Sequence, residues 1–251
     1  MNVYFVGAGP GDIELLTIKA EKLIKSADYI IYPGSLINKE ILTLTKTDAL
    51  LFDSAPLTLS EIIDVISDGV AHNKLVVRLA SGEPSIYGAI LEQMLELDKR
   101  RISYEIVPGI SSLFAAAAHL KIELTAPSVS QTIIITRMEG RTKKPVGEEI
   151  EKISLIRGTH CYFLSVDKIN DIVAYYIKNN WPPSTPVAVI YNVTNKDEKI
   201  IIEQLHTITN KLPAYNIKKK ALIVIGDVLR RELKDYSKLY DRSFFHGYRP
   251  E

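Results

Sequence analysis

The chain has 251 residues, of which 46% are hydrophobic and 24% are charged, and its formal net charge is +1. This composition is typical of a globular protein and excludes a disordered chain, and the near-zero charge supplies no overall basic field for nucleic acid. Cys161 is the only cysteine, which excludes a disulfide framework and a metal site built on several thiolates. The N-terminus carries no signal-peptide pattern, and no apolar stretch reaches the ~20 residues of a membrane-spanning helix, so we expect a cytoplasmic protein.

Short, apolar, β-branched runs alternate with segments of helical periodicity along the first half of the chain. Apolar residues recur at helical spacing through 16–27 and 59–70. This alternation is typical of a mostly parallel sheet that is covered by helices. The predicted strands are residues 2–6, 28–32, 49–52, 74–80 and 103–107.

A second alternation follows a connector at residues 121–130, which contains Pro127 and small polar residues. A helix is predicted at 169–177, and the turn at 197–198 between two strand-like runs indicates a hairpin and hence a mixed sheet. The predicted strands are residues 131–136, 158–164, 185–191, 199–203 and 220–226. We therefore predict two α/β domains, at residues 1–123 and 131–251.

The first predicted strand runs directly into Gly7-Ala8-Gly9-Pro10-Gly11-Asp12. A glycine loop between a strand and a helix is typical of phosphate-binding sites, but Asp12 stands where a dinucleotide fingerprint has its third glycine. The second strand ends at Tyr32-Pro33 without the acidic residue that would bind a ribose. These departures disfavour a dinucleotide. Asp12 either caps the helix or takes part in chemistry, and the sequence leaves both roles open.

Two further loops follow predicted strands, 81–88 (Ser-Gly-Glu-Pro-Ser-Ile-Tyr-Gly) and 107–112 (Val-Pro-Gly-Ile-Ser-Ser). Ligands bind at the carboxyl ends of strands in open α/β sheets, so three such loops on one sheet predict a site. Each loop taken singly is also explained as a structural turn, with Ser111 or Ser112 capping the next helix.

These three loops together resemble the tetrapyrrole methylase family, whose members carry Gly-x-Gly-Pro-Gly-Asp, Ser-Gly-Asp-Pro-x-x-Tyr and Val-Pro-Gly-x-Ser-Ser loops. The segments 32–36 (Tyr-Pro-Gly-Ser-Leu) and 131–142 (Gln-Thr-Ile-Ile-Ile-Thr-Arg-Met-Glu-Gly-Arg-Thr) resemble the branch that methylates carbon 11 of precorrin-4 or its cobalt form. The likeness covers essentially the whole chain. One departure is Glu83, where the family has Asp, so a role that needs a fixed carboxylate position is in doubt.

The resemblance implies two α/β domains with the active-site cleft between them, a homodimer, and methyl transfer from S-adenosylmethionine, which yields S-adenosylhomocysteine. It assigns to this cofactor Pro10, Ser81, Gly82, Glu83, Ile86, Ser111 and Ser112, and from the second domain Leu164, Val193 and Ala221. It assigns to the tetrapyrrole acceptor Gly9, Gly11, Asp12, Ser35, Arg137 and Arg141. Leu164 and Ala221, taken alone, are typical of core strand packing.

Physical chemistry adds roles to some of these residues. Arg137 and Arg141 are candidates to bind the acceptor's carboxylates, because a guanidinium binds a carboxylate with paired hydrogen bonds, although a solvated arginine explains each equally well. Methylation of an enamine-like carbon is balanced by proton loss, so Asp12 or Glu83 is a candidate base. The histidines form no metal-binding pattern, and we expect no metal site, no nucleic acid and no membrane partner.

Alternative functions stay open at this point. Within the fold they are methylation at another carbon of a precorrin or of uroporphyrinogen III, or of ribosomal RNA or a modified histidine. From another class, a non-enzymatic nucleotide-sensing module would use the same loops to hold a ligand. The aromatic tail, with Tyr236, Tyr240, Phe244, Phe245 and Tyr248, is expected to wrap a surface or to pair with another subunit.

Overall fold

The structure is a computed structural model that describes residues 2–232, 235–237, 241, 243–245 and 247–249. Tyr240 and His246 therefore lie outside the described residues. The chain forms two compact units. The first unit is Met1–Ala115 with Asn192–Asp197, and the second is Ala116–Tyr191 with Glu198–Glu251.

A parallel sheet of five strands forms the centre of the first unit. The strands are β1 (Val3–Gly7), β2 (Tyr29–Tyr32), β3 (Leu50–Asp53), β4 (Val76–Ala80) and β5 (Tyr104–Val107). Their order is β3-β2-β4-β1-β5, and every neighbouring pair is parallel. Because β1 lies between β4 and β5, the loops that follow these three strands leave the same edge of the sheet side by side.

Helices cover both faces of this sheet. They are α1 (Ile18–Ser26), α2 (Leu59–Ala71), α3 (Leu91–Lys99) and α4 (Ser112–Leu120), with short 3₁₀ turns at Ile13–Leu15 and Lys39–Leu44. Strand side chains alternate between the faces, so Phe5 packs in the cluster that contains Ile63 of α2, whereas Val6 packs in the cluster that contains Ile24 of α1. The Thr58–Glu61 capping box fixes the start of α2.

A mixed sheet of five strands forms the centre of the second unit. The strands are β6 (Ile133–Arg137), β7 (Thr159–Phe163), β8 (Pro186–Tyr191), β9 (Lys199–Gln204) and β10 (Ala221–Ile225). Their order is β6-β7-β10-β8-β9; β6 and β7 are parallel and the other pairs are antiparallel. The predicted hairpin is confirmed, because β8 and β9 pair on either side of the turn at 197–198.

The helices of the second unit are α5 (Ile150–Ile153), α6 (Ile169–Lys178) and α7 (Leu205–Lys211), with 3₁₀ turns at Val166–Lys168, Leu212–Tyr215 and Asp227–Arg230. Ile172 and Tyr176 of α6 are fully buried in a core cluster with Val187 and Ile223 of the sheet. Cys161 is fully buried on β7, and burial raises the pKa of its thiol to about 12, so it is an unreactive packing residue as expected. No described helix combines the length and the apolar character that crossing a membrane requires.

The fold class predicted from the sequence is confirmed, with one parallel and one mixed α/β sheet, and each predicted strand end lies within two residues of the observed one. The two units divide the chain differently from the predicted division at 1–123 and 131–251. The first unit ends at Ala115, inside α4, and it also includes the segment Asn192–Asp197 between β8 and β9. A hydrogen bond explains why Asn192–Asp197 belongs to the first unit, because the Asp12 N–H donates to Thr194 Oγ1 at 2.9 Å.

Candidate functional site

The loops that follow β1, β4 and β5 are in direct backbone contact. The Gly82 N–H donates to the Gly9 carbonyl at 2.9 Å, and the Gly9 N–H donates to the Gly82 carbonyl at 3.3 Å. A Cβ atom on Gly7 would lie 2.5 Å from the Gly109 Cα atom, a distance that no side chain tolerates. Glycine is therefore required where the backbones approach, and the three loops that the sequence singled out form one structure.

The Glu83 carboxylate ties two of these loops together. Its Oε2 accepts a hydrogen bond from the Gly109 N–H at 2.9 Å, and its Oε1 accepts from the Ser85 N–H at 3.0 Å and the Ser85 hydroxyl at 2.8 Å. Burial alone would raise the pKa of Glu83, but these donors together lower it below the ordinary value. Both oxygens are occupied, so this carboxylate has the bonding of a structural link rather than that of a base.

The loop that follows β2 joins the same edge of the sheet. The Gly34 N–H donates to Asp53 Oδ1 at 3.0 Å, and the Ala55 N–H donates to the same oxygen at 2.9 Å. The bond from Ala55 and then the bond from Gly34 lower the pKa of the Asp53 carboxyl. Further along, the Asn38 side chain donates to the Gly11 carbonyl at 3.0 Å. The exposed Ser35 thus lies on a loop that is anchored at both ends.

Asp12 caps the 3₁₀ turn that follows the glycine loop, since its Oδ1 accepts a hydrogen bond from the Glu14 N–H at 2.9 Å. The capping role left open by the sequence is therefore real. It occupies only one of the two carboxylate oxygens: among the described residues, Asp12 Oδ2 accepts no hydrogen bond. Asp12 thus differs from Glu83, whose two oxygens are both engaged.

The two serines at the start of α4 lie against the loop that follows β4. A Cβ atom on Gly82 would lie 3.7 Å from both the Ser111 Cα atom and the Ser112 nitrogen, an ordinary contact distance. Ser111 is buried, and its hydroxyl accepts a hydrogen bond from the Leu113 N–H at 3.3 Å, so it caps the helix. Ser112 is half-buried, and its side chain makes no such cap.

Leu164 is the most unusual of the predicted residues of the second unit. Its side chain is 68% exposed, and its backbone has a φ of 52°, a region that a leucine rarely adopts. Core packing therefore does not explain this residue. The β7–β10 register, continued by two residues from Tyr162 and Ile223, places Leu164 level with the buried Ala221. An outlier of this kind is a reason to infer function.

Arg137, the last residue of β6, holds the shape of the loop that follows this strand. The Arg137 guanidinium donates to the carbonyls of Met138 at 3.2 Å and Thr142 at 2.9 Å. The Met138 N–H donates to the buried Ser165 hydroxyl at 2.7 Å, which links this loop to the residue after Leu164. The structure therefore brings Arg137 and Leu164 to one end of the second sheet.

Lys144 is a cation that the sequence did not single out. It is half-buried, and its ammonium group donates to Thr136 Oγ1 at 2.9 Å. Burial lowers its pKa, and the nearby charge of Arg137 lowers it further, against nearby glutamates. None of the described ion pairs includes Arg137, Arg141, Lys143 or Lys144. The loop thus holds neighbouring positive charges, and no described carboxylate forms an ion pair with them.

The predicted site residues divide between the two units. The first unit holds Gly9, Pro10, Gly11, Asp12, Ser35, Ser81, Gly82, Glu83, Ile86, Ser111, Ser112 and Val193, and the second holds Arg137, Arg141, Leu164 and Ala221. Val193 was expected in the second domain, but it lies in the segment Asn192–Asp197 of the first unit. Val193 and Ala221 are buried, whereas Ser81 and Arg141 are exposed. Sequence reasoning missed Asn38, Thr194 and Lys144.

A separate cavity of about 510 Å³ lies on the second unit, lined by residues that include Ser184, Gln204 and Arg230. It contains none of the predicted site residues. The Arg230 side chain is already bound to Asp227 Oδ1 at 3.1 Å and to the Ser184 carbonyl at 2.8 Å. This cavity therefore offers no group for the expected chemistry. Within the described part of the chain, no three histidine, cysteine, aspartate or glutamate side chains are grouped for a metal ion.

Comparison with known proteins gives a consistent result. A family model for tetrapyrrole (corrin/porphyrin) methylases matches residues 2–209. The chain is 51% identical over 248 residues to a Methanocaldococcus jannaschii protein named cobalt-precorrin-4 C(11)-methyltransferase, covering 99% of this chain and 96% of that protein. It is 39% identical over 250 residues to a Pseudomonas aeruginosa protein named precorrin-4 C(11)-methyltransferase, covering 100% and 99% of the two chains.

A solved structure shares the fold closely. It is the X-ray structure of a cobalamin biosynthetic enzyme, cobalt precorrin-4 methyltransferase, with a TM-score of 0.88, 37% identity and coverage of 90% of this chain and 95% of that one. A more distant Methanosarcina barkeri relative, 35% identical over 235 residues, is named an S-adenosyl-L-methionine-dependent uroporphyrinogen III methyltransferase, with 91% of this chain and 92% of that protein covered.

Proposed function

The chain belongs to the tetrapyrrole methylase family, and from that premise we propose that it transfers the methyl group of S-adenosylmethionine to carbon 11 of cobalt-precorrin-4, which gives cobalt-precorrin-5 in cobalamin biosynthesis. The observation that carries the proposal is the identity along almost the full chain to a cobalt-precorrin-4 C(11)-methyltransferase. The cobalt form is favoured over the metal-free form because the relative with 51% identity is named for cobalt-precorrin-4, whereas the reported relative named for precorrin-4 is 39% identical. The uroporphyrinogen III methylase is more distant still, which disfavours that acceptor.

The residues of each unit fit S-adenosylmethionine. In the first unit, a side chain on Gly82 would extend toward the backbone of Ser111 and Ser112, so glycine keeps the space beside these serines free for a closely bound ligand. In the second, the exposed Leu164 side chain offers an apolar surface of the kind that binds adenine. We assign the cofactor to Pro10, Ser81, Gly82, Glu83, Ile86, Ser111, Ser112, Leu164, Val193 and Ala221, as the resemblance implies.

Methyl transfer from a sulfonium is an in-line displacement, and S-adenosylmethionine supplies the electrophilic methyl group. The protein aligns the donor with the acceptor carbon and excludes water, which lowers the entropic part of the barrier. The acceptor carbon gains a C–C bond as the C–S bond breaks, and the acceptor then loses a proton. We assign that proton to Asp12, because its Oδ2 accepts no hydrogen bond from the described residues while both oxygens of Glu83 are occupied.

The acceptor carries several carboxylates, and we propose that Arg137, Arg141 and Lys144 bind them. Arg137 keeps N–H groups beyond those it donates to the loop, and Lys144 is half-buried beside it without an ion-pair partner among the described residues. A carboxylate at this position would relieve the repulsion between the two cations. Gly9, Gly11, Asp12 and Ser35 are the acceptor contacts that we propose on the first unit.

Removal of one of these cations is expected to weaken acceptor binding selectively. The Lys144→Met and Arg141→Gln variants should each raise the KM for the acceptor about tenfold, the loss expected for a charged hydrogen bond, with the KM for S-adenosylmethionine unchanged. Lys143→Gln, at an exposed position of the same loop, is the matched control. If the KM for the acceptor were the same in all three variants as in the wild type, the carboxylates of the acceptor would bind elsewhere.

The function itself is tested with purified protein, cobalt-precorrin-4 and S-adenosylmethionine that carries a ¹³C-labelled methyl group. We expect one labelled methyl per acceptor, located at carbon 11 by NMR. Label at another carbon would overturn the assignment to carbon 11 but not the assignment as a tetrapyrrole methyltransferase. Binding of S-adenosylmethionine without methyl transfer to any tetrapyrrole would favour a nucleotide-sensing module and overturn the enzymatic proposal.

We further propose that the protein is a cytoplasmic homodimer that binds no nucleic acid. The near-neutral net charge supports the last point, and the exposed aromatic side chains Phe245 and Tyr236 in the tail offer apolar surface for a second subunit. Light scattering coupled to gel filtration measures the subunit number directly. A monomeric mass at micromolar concentration would contradict the dimer.

A further inference from the structure

The peptide group that joins Gly11 to Asp12 is held from both sides by side chains that are distant in sequence. Its carbonyl oxygen accepts a hydrogen bond from Asn38 Nδ2 at 3.0 Å, and its N–H donates to Thr194 Oγ1 at 2.9 Å. All four residues belong to the first unit. No other described peptide of the glycine loop has side chains bound at both its oxygen and its nitrogen.

The segment that supplies Thr194 packs closely against this peptide. A Cβ atom on Gly11 would lie 2.4 Å from Asn195 Nδ2 and 2.9 Å from Thr194 Oγ1, so only glycine permits the contact. The segment is fixed by its own bonds, since Asn192 donates to Asp197 Oδ1 at 2.8 Å and Asn195 donates to the Val193 carbonyl at 3.1 Å. Thr194 has a φ of 65°, an outlier for a β-branched residue and a mark of a constrained position.

A peptide plane that is bound at its oxygen and at its nitrogen cannot rotate without breaking one of the two bonds. Rotation of this plane would change the φ angle of Asp12 and move its carboxylate. We infer that Asn38 and Thr194 are positioning residues that set the direction of the Asp12 carboxylate toward the acceptor. This inference rests on the proposed function, in which Asp12 takes the proton.

Nearly isosteric variants remove one of the two hydrogen bonds to the Gly11–Asp12 peptide while they keep the packing around it. Thr194→Val removes the hydroxyl and keeps the shape, and Thr194→Ser keeps the hydroxyl as the matched control. Asn38→Asp keeps the Oδ1 that caps the Glu40 N–H at 3.0 Å but sets a carboxylate oxygen against the Gly11 carbonyl. A displacement of a catalytic group by about 1 Å can cost up to about 100-fold in rate, so we expect Thr194→Val and Asn38→Asp each to lower kcat about tenfold. The KM values, the melting temperature and the kcat of Thr194→Ser should all match those of the wild type.

A double-mutant cycle with Asp12→Asn shows whether the effect passes through Asp12. In that background, Thr194→Val and Asn38→Asp are expected to lower kcat less than about twofold further, because the group they position is gone. If the losses in kcat of the single variants multiply in the double variants, both residues have a structural role and the inference is overturned. Full kcat in both single variants of an active enzyme would overturn the inference alone. A wild-type protein that transfers no methyl would overturn the proposed function, and this inference with it.

Discussion

The Asp12→Asn variant is expected to lose about 100-fold in kcat, the lower range of what general acid–base catalysis contributes. Asparagine keeps the oxygen that accepts from the Glu14 N–H, so the 3₁₀ turn retains its cap. The substitution removes the negative charge and the open oxygen that would take the proton. Single-turnover kinetics with saturating S-adenosylmethionine and acceptor measure the chemical step, and the melting temperature should change by less than about 2 °C.

Glu83→Gln is the control for this experiment, because it neutralises the other candidate carboxylate. Glutamine has only one acceptor oxygen, so an NH₂ group must face either the Gly109 N–H or Ser85. We expect the free energy of unfolding to fall by about 2 kcal/mol and kcat at saturation to stay within a few-fold of the wild type. The opposite pattern, with stability kept and kcat lost, would make Glu83 the base and Asp12 a cap.

The positions of the strands and of the three glycine loops were predictable because their signals are local. A run of β-branched residues marks a strand wherever it lies, and parallel strands place the loops after them at one edge of the sheet. The contact between the loops required one more fact, the strand order that places β1 between β4 and β5. No single strand carries that information in its own residues.

The roles that sequence reasoning could not derive depend on contacts over long separations or on exceptional backbone angles. Thr194 binds a peptide 182 residues away, and nothing in Asn-Val-Thr-Asn distinguishes it from an ordinary loop. Glu83 was a candidate base by residue type alone, and only the hydrogen bond to Gly109 gives it a linking role. Leu164 taken alone is typical of core packing, and only the resemblance assigned it to the cofactor; the strand ends at Phe163 and leaves the Leu164 side chain exposed.

The second unit contains a buried histidine whose protons are fixed by its neighbours. His160 is fully buried, and its Nε2 lies 2.9 Å from the Ile156 carbonyl, which can only accept, so Nε2 carries the proton. Its Nδ1 must then accept from the Tyr176 hydroxyl, at 2.6 Å, and Tyr176 in turn accepts from Tyr162 at 3.1 Å. With a neutral imidazole, each bond of this chain therefore has one donor and one acceptor. Burial lowers its pKa from 6.5 to about 4, and the charge of Arg157 adds to this.

The neutral imidazole makes the stability of the protein dependent on pH. Because the pKa of His160 is lower in the folded than in the unfolded chain, the unfolded chain binds the proton first as the pH falls below 6.5. The contribution of the neutral His160 to the free energy of unfolding is therefore fully present above that pH and is lost on acidification toward about pH 4. In full it amounts to about 3 kcal/mol, of which about 2 kcal/mol should be lost between about pH 7.5 and about pH 5.

Urea unfolding at the two pH values measures this loss, and His160→Gln isolates it from the carboxylates that titrate nearby. We expect His160→Gln to be less stable than the wild type near neutral pH, since the Tyr176 bond is lost, but to lose about 2 kcal/mol less on acidification. The exposed His72→Gln variant should follow the wild type at both pH values. The same acid sensitivity in His160→Gln as in the wild type would mean that the buried imidazole is not the group that titrates.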